Sequence, residues 1–158
     1  MLKTPTIEKL QNLKLNGMLR GLEEQNASSE YESLSFEERL GLLVDRETIE
    51  RENRRLNTRL KQAKLRQSAC FEDIDYRHRR GLDKSLMLSL GTCGWIREHQ
   101  NIILTGPTGV GKSYLACALA HKACLEGHKV RYYRVSRLFR DLHAAQGDGT
   151  YLKLMTSI

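Results

Sequence analysis

The chain has 158 residues and a mass of 18.2 kDa, which fits one domain with at most a small addition, and 40% of its residues are hydrophobic. It has no apolar run near the roughly 18 residues of a membrane span, no N-terminal signal segment and no Cys-x-x-Cys pair, which predicts a cytoplasmic protein without membrane anchor, zinc ribbon or disulfide framework. The net charge of +7 favours a polyanionic partner such as nucleic acid, although a solvated, salt-bridged surface explains the same charge.

The first part of the chain has the pattern of helices. Apolar residues recur at helical intervals over residues 6–25, which predicts one amphipathic helix weakened by two internal glycines. Residues 26–34 are polar and predict a loop. Ser35 and Glu38 then have the spacing of a capping box, in which each side chain accepts a hydrogen bond from the other residue's amide, and they predict the start of a second helix.

A long, highly charged helix is predicted from about Phe36 to Gln67. Residues 45–67 contain eight basic and four acidic residues. Two i,i+4 ion pairs are expected to support the helix: Glu47–Arg51 and Glu50–Arg54. Three arginines have no acidic residue at that spacing: Arg55, Arg59 and Arg66. These positive side chains form either a solvated face or a face that contacts nucleic-acid phosphates.

The helical pattern stops at residues 68–82, which predict a connector containing the basic stretch 77–80. Asp83 then has the position of a helix N-cap. It predicts a short helix that reaches about Trp95. Three residues of this helix are expected in the core: Leu86, Leu90 and Cys93.

The segment that carries chemistry begins at residue 101. Residues 101–105 are a short apolar run and predict a buried strand. Residues 106–113 read Gly-Pro-Thr-Gly-Val-Gly-Lys-Ser and fit G-x-x-x-x-G-K-[ST], the P-loop or Walker A motif. Three more elements are predicted after the loop: a helix over 114–126 capped by Gly127, a strand over 129–135 and a helix over about 136–146.

A P-loop binds phosphate because its glycines let several backbone amides converge on an anion. The following helix adds its N-terminal amides and the positive end of its dipole. Lys112 is expected to place an ammonium against the β- and γ-phosphates, and Ser113 to offer its hydroxyl to Mg²⁺. The predicted nucleotide site consists of eight consecutive residues: Gly106, Pro107, Thr108, Gly109, Val110, Gly111, Lys112 and Ser113.

The residues after the loop lack the acidic partner that nucleotide hydrolysis needs. Three acidic residues follow Ser113: Glu126, Asp141 and Asp148. None of them ends an apolar strand, so no Walker B carboxylate is predicted and no residue is assigned a catalytic role. The sequence therefore predicts the front part of a larger domain, with inefficient hydrolysis.

Other polar residues in this region carry weaker signals. Five basic residues without an acidic one between them form either a solvated face or a nucleic-acid contact: Lys129, Arg131, Arg134, Arg137 and Arg140. Cys117 and Cys124 are interpreted as small core residues rather than metal ligands. His121 and His128 are given no ligand role.

Several stretches resemble the IstB-like family, the ATP-binding helper proteins of IstA/IstB-type transposons. This family is close to the DnaC helicase loaders within the AAA+ class. The matching stretches are residues 34–43, 51–56, 60–65, 80–83, 104–113 and 115–119. Together they extend over much of the chain and are more specific than the P-loop alone.

The resemblance implies an α/β fold in two parts. Residues 1–67 would be a helical N-terminal domain for DNA binding and oligomerisation, and residues 68–158 the first part of a P-loop AAA+ parallel-sheet domain, incomplete at its C terminus. ATP and Mg²⁺ are the implied cofactors. The implied partners are DNA, a transposase and, in the full-length form, further copies of the protein. The implied function is an ATP-binding helper of DNA transposition; the alternatives are a DnaC-like helicase loader in DNA replication and a non-enzymatic DNA-binding fragment.

Overall fold

The computed structural model describes residues 3–77 and 81–156, and those residues contain helices but no β-strand. The chain divides into two compact units between Asn57 and Thr58, inside the third helix. A 3-10 helix occupies Ser29–Ser33. The α-helices are α1 (Lys3–Asn12), α2 (Asn16–Ala27), α3 (Phe36–Ala63), α4 (Lys84–Gly91), α5 (Gly94–Arg97), α6 (Lys112–Leu125), α7 (Val135–Gly147) and α8 (Tyr151–Met155).

The first unit begins with two helices where the sequence predicted one. The prediction of a single helix over residues 6–25 is wrong, because α1 ends before α2 begins. Lys14 adopts a left-handed conformation with φ of 58°. The amide of Leu15 donates to the carbonyl of Leu10 at 2.9 Å, which is the hydrogen bond of a Schellman cap.

Helix α2 packs closely against α3 through its two glycines. A Cβ at Gly17 would lie 2.6 Å from Cα of Glu47, and one at Gly21 would lie 2.8 Å from Cδ2 of Leu43. The carboxylate of Glu47 accepts hydrogen bonds from the amides of Gly17 at 2.7 Å and Met18 at 3.3 Å. It therefore caps the first turn of α2 from a neighbouring helix.

The capping box at the start of α3 is confirmed. The amide of Ser35 donates to Oε2 of Glu38 at 2.8 Å, and the amide of Glu38 donates to Oγ of Ser35 at 3.2 Å. The loop predicted over residues 26–34 contains the 3-10 helix, which is closed by local hydrogen bonds.

Ion pairs on α3 join successive turns and also reach a second helix. The predicted pair of Glu47 and Arg51 is confirmed, with Nε of Arg51 lying 2.7 Å from Oε1 of Glu47. The carboxylate of Glu50 lies 3.3 Å from the guanidinium of Arg20 in α2, and its pairing with Arg54 stays a prediction. Charge pairing on α3 therefore links helices of the first unit.

The second unit starts within the last turns of α3. This helix ends at Ala63, four residues before the predicted end at Gln67, and Lys64 follows with a left-handed φ of 49°. The carbonyl of Ala63 accepts a hydrogen bond from the amide of Tyr132 at 2.9 Å. The end of α3 is thereby tied to the segment before α7.

The core of the second unit surrounds α6. Its buried cluster consists of Ala69, Ile74, Met87, Leu115, Cys117, Ala118 and Leu119. Half-buried apolar residues from the connector and from the segments beside α6 pack against this cluster, including Phe71, Ile102, Leu104 and Tyr132. Each Å² of apolar surface removed from water stabilises the fold by roughly 25 cal/mol. The burial of this cluster therefore stabilises the position of α6.

The helix predicted from Asp83 to Trp95 is divided in two. Asp83 caps α4 as predicted, with its carboxylate accepting hydrogen bonds from two first-turn amides. Cys93 is buried as expected but has a φ of 57°, which separates α4 from α5. Leu86 is 56% exposed, contrary to prediction, and Met87 occupies the core instead.

The predicted parallel sheet is not confirmed in the described residues. Residues 101–105 and 129–134 form neither helix nor strand and carry no β-ladder. Residues 101–105 are also not buried on both faces, since Ile103 is 84% exposed while Ile102 and Leu104 pack on the core. A ladder needs a paired strand, and the chain supplies none there within residues 3–77 and 81–156.

The later elements agree with the remaining predictions in part. Helix α6 is followed by Gly127 with φ of 92°, and the predicted cap is confirmed by the amide of His128, which donates to Ala123 at 2.9 Å. Helix α7 occupies the predicted position, whereas α8 was not predicted. The connector forms neither helix nor strand where it is described; residues 78–80 lie outside the described residues. In the ranges described, no helix is both long and apolar enough for a membrane span.

Candidate nucleotide-binding site

The glycine-rich loop is held between two anchored segments. Before it, Ile102 and Leu104 pack on the core; after it, Leu115 and Ala118 are buried on α6. Residues 106–109, between these anchors, are exposed to solvent. The sequence therefore fixes both ends of the loop while leaving its surface open to a ligand.

The loop bends into the start of α6 through glycines with left-handed backbones. Gly109 has a φ of 87° and Gly111 a φ of 95°, conformations that cost a residue with a side chain about 1–2 kcal/mol. Gly111 is the N-cap of α6 and offers no side-chain oxygen to the first-turn amides. Those amides and the positive end of the helix dipole are thus free to bind an anion.

Lys112 supplies a cation at the loop. Its Nζ lies 2.7 Å from the carbonyl oxygen of Gly106 and 2.6 Å from that of Pro107, so the side chain folds back over the loop. The same group would bind a phosphate oxygen more strongly than a carbonyl, because a charge-assisted hydrogen bond is roughly twice as strong as a neutral one.

Ser113 follows on the first turn of α6, beside an arginine from another segment. Nη1 of Arg66 lies 3.4 Å from Oγ of Ser113. The next residue, Tyr114, donates its hydroxyl hydrogen to the carbonyl of Cys70 at 3.4 Å. The chain that follows α3 therefore contacts the first turn of α6 at two points.

Sequence reasoning did not place Arg66 at the loop. It was grouped with Arg55 and Arg59 on one helix, but α3 ends before Arg66. Nε of Arg59 donates to the carbonyl of Cys124 at 2.9 Å, in the last turn of α6, where a cation stabilises the helix. No sequence signal distinguishes these arginines, because their partners lie 47 and 65 residues away along the chain.

The eight predicted site residues form one continuous loop and helix start. Their donors are backbone amides, an ammonium and a hydroxyl, a set that fits the phosphate chain of a nucleotide. Among the described residues, no group of three or more His, Cys, Asp or Glu residues could hold a metal ion. A divalent cation at the loop would therefore depend on the Ser113 hydroxyl and on the phosphates themselves.

The cysteines of α6 are core residues, as predicted. Cys117 and Cys124 are fully buried. Burial raises the pKa of the Cys124 thiol, which disfavours the thiolate that metal binding requires.

A glycine loop, a lysine and a helix start in this arrangement define the P-loop class of nucleotide-binding proteins. Comparison with known proteins narrows this class. The family of IstB-like ATP binding proteins matches residues 8–158, and the chain belongs to that family.

Several relatives are named as ATP-binding proteins of insertion sequences. The IS1162 protein of Pseudomonas fluorescens is 49% identical over 152 residues, covering 96% of this chain and 66% of the relative. The y4pL and y4uH proteins of Sinorhizobium fredii are 48% and 43% identical over 158 residues, covering all of this chain and 64% of each relative. The chain thus spans slightly less than two thirds of the length of these relatives.

Proposed function

We propose that the chain is an ATP-binding helper of DNA transposition, in which residues 106–113 bind the phosphates of ATP. The observation that carries this proposal is the loop geometry, with left-handed glycines, an uncapped α6 start and the ammonium of Lys112 over the loop. Membership of a family of ATP-binding proteins and the insertion-sequence names of relatives support the identity of the nucleotide and the process.

Each residue of the loop has a separate task in this proposal. The amides of residues 106–111 and the first turn of α6 hold phosphate oxygens. Lys112 exchanges its two carbonyl partners for the outer phosphates. Ser113 offers its hydroxyl to Mg²⁺, which supplies charge neutralisation at those phosphates when it is bound.

We also propose that these 158 residues bind ATP without efficient hydrolysis. The carboxylates that follow the loop have local structural roles: Glu126 pairs with Lys122 at 3.2 Å, Asp141 lies 3.8 Å from Arg137, and Asp148 accepts the amide hydrogen of Thr150 at 2.9 Å. None follows an extended apolar segment, where a Walker B carboxylate belongs.

DNA and a transposase are the proposed partners. The basic residues of α3 and of residues 129–140 would contact phosphates, which predicts affinity that falls steeply with salt. Assembly into homo-oligomers is also proposed. The insertion-sequence names of the relatives favour this function over a helicase loader in DNA replication.

Titration of ATP with Mg²⁺ into the wild-type chain and a Lys112→Ala variant, followed by calorimetry, tests the nucleotide site. Loss of a charge-assisted contact to phosphate is expected to weaken binding about 10- to 100-fold. Lys129→Ala, which removes an equal charge from an exposed position outside the loop, is the matched control and should bind like wild type. Equal affinities for Lys112→Ala and wild type would exclude residues 106–113 as the phosphate site.

A further inference from the structure

A basic cleft of about 490 Å³ lies beside the nucleotide loop in the second unit. The residues that line it come from the segment after α3, from residues 131–134 and from α7 and α8. They are Lys64, Arg66, Arg131, Tyr132, Tyr133, Arg134, Arg137, Leu138, Asp141 and Leu154. Five of these side chains are cationic and one is anionic, so the lining carries a net charge of +4.

Most of this positive charge is not neutralised by the protein. Asp141 lies 3.8 Å from Arg137, a long contact between exposed groups. In the described part of the chain, no ion pair involves Lys64, Arg131 or Arg134, and all three are exposed. Unpaired cations facing one cleft attract a polyanion and repel a positively charged ligand.

Two tyrosine rings in the lining distinguish this cleft from an ordinary charged surface. Tyr132 packs on the core, where its amide is fixed to Ala63, and Tyr133 is half-buried in the lining. A tyrosine ring among arginines offers a stacking surface for a base as well as charge for the backbone. The bases of a duplex are already stacked on one another, whereas those of a single strand can reach such a ring.

We infer that this cleft binds a single DNA strand, with its phosphates on Arg131, Arg134 and Lys64 and a base against Tyr133. This inference rests on the proposed DNA binding and locates the bound DNA in this cleft. Arg66 lines the cleft and lies 3.4 Å from the Ser113 hydroxyl, so the strand would run next to the nucleotide loop.

Fluorescence anisotropy with a labelled thymidine strand of about 20 nucleotides tests the inference. The variant Arg131→Gln/Arg134→Gln should bind about tenfold more weakly at low salt, and its slope of log affinity against log salt should be about 1.4 smaller than that of wild type. Tyr133→Leu should weaken binding by at least about fivefold without changing that slope. The matched control is Lys84→Gln/Arg97→Gln, which removes the same charge from exposed positions outside the cleft.

The results separate this inference from the proposed function. Calorimetry should show unchanged ATP affinity for the cleft variants. If wild type binds the strand but the cleft and control variants lose affinity equally, the cleft assignment is wrong and DNA binding elsewhere is retained. If wild type binds ATP but no single strand, the cleft assignment also fails.

Photocrosslinking of wild type to an iodouridine strand gives a readout that does not depend on the folding of any variant. A crosslinked peptide containing Tyr133 is expected, because its ring would lie against a base. Crosslinks confined to other peptides would overturn the inference.

Discussion

Glu47 is a buried carboxylate whose partners come from two helices. Burial opposes its ionisation, but hydrogen bonds from Arg51 and from the amides of Gly17 and Met18 outweigh that effect and lower the pKa of its carboxyl. A charged acceptor at the first turn of α2 satisfies amides that have no partner within the helix. Its loss would leave these donors buried and unpaired.

We expect Glu47→Ala to lower the free energy of unfolding by about 3 kcal/mol, since it removes a charged acceptor from buried donors. Urea denaturation followed by circular dichroism measures this change. Glu52→Ala, at an exposed position on the same helix, is the control and should change stability by less than about 0.5 kcal/mol. A similar small effect of both substitutions would show that Glu47 does not hold α2.

The lowered pKa of Glu47 also predicts a pH dependence. Because the folded state binds this proton less tightly than the unfolded state, the stabilisation is complete above the unfolded pKa of about 4.3. It is lost as the pH falls through the lower folded pKa. The stability difference between wild type and Glu47→Gln should therefore shrink below about pH 4.3; a difference that grew on acidification would contradict this sign.

The contact between α2 and α3 depends on the absence of a side chain at Gly17. A Cβ at this position would lie 2.7 Å from the carbonyl oxygen of Arg46, so the backbones of α2 and α3 would have to move apart. Gly41 in α3 is the opposite case, since a Cβ there would have no heavy atom within 4 Å. The two glycines therefore have different roles within one unit.

We expect Gly17→Ala to destabilise the chain by about 1–3 kcal/mol through overpacking. Gly41→Ala should stabilise it by about 0.5–1 kcal/mol, because alanine is the better helix former and meets no atom. Thermal melts of the two variants and wild type give both signs in one experiment. Stabilisation by Gly17→Ala would mean that α2 does not pack closely on α3.

The helix boundaries were predictable where a side chain or a glycine encodes the cap. Ser35 with Glu38, Asp83 and Gly127 all act as the sequence predicted. The breaks at Lys14 and Cys93 were missed, because these residues adopt left-handed conformations that glycine or asparagine usually marks. The helical spacing of apolar residues continues across such a break. The position of the break is therefore decided by tertiary packing.

The segments predicted as strands show a different limit. The apolar run 101–105 predicted a buried strand. Ile102 and Leu104 do pack on the core, but Ile103 is exposed and no ladder forms in the described residues. A strand exists only with a partner, which is a non-local property that residues 101–105 alone do not contain.

Across the chain, the candidate site was predictable because its eight residues are consecutive and their spacing follows from phosphate chemistry. The neighbours of that loop were not predictable. Arg66 reaches Ser113 from 47 residues away, and the basic cleft combines residues that lie before and after the loop. The motif therefore predicts the candidate nucleotide site, whereas the surface proposed for DNA depends on how the second unit folds.

The amide resonances of residues 106–113 report most directly on the central proposal. In ¹H–¹⁵N spectra of the 18.2 kDa chain, addition of ATP with Mg²⁺ should shift the amides of Gly106, Gly109, Gly111 and Lys112 the most, because these groups would face the phosphates. Saturating shifts centred on these amides would support the account. Unchanged loop amides at millimolar ATP, or shifts centred on another part of the chain, would contradict it.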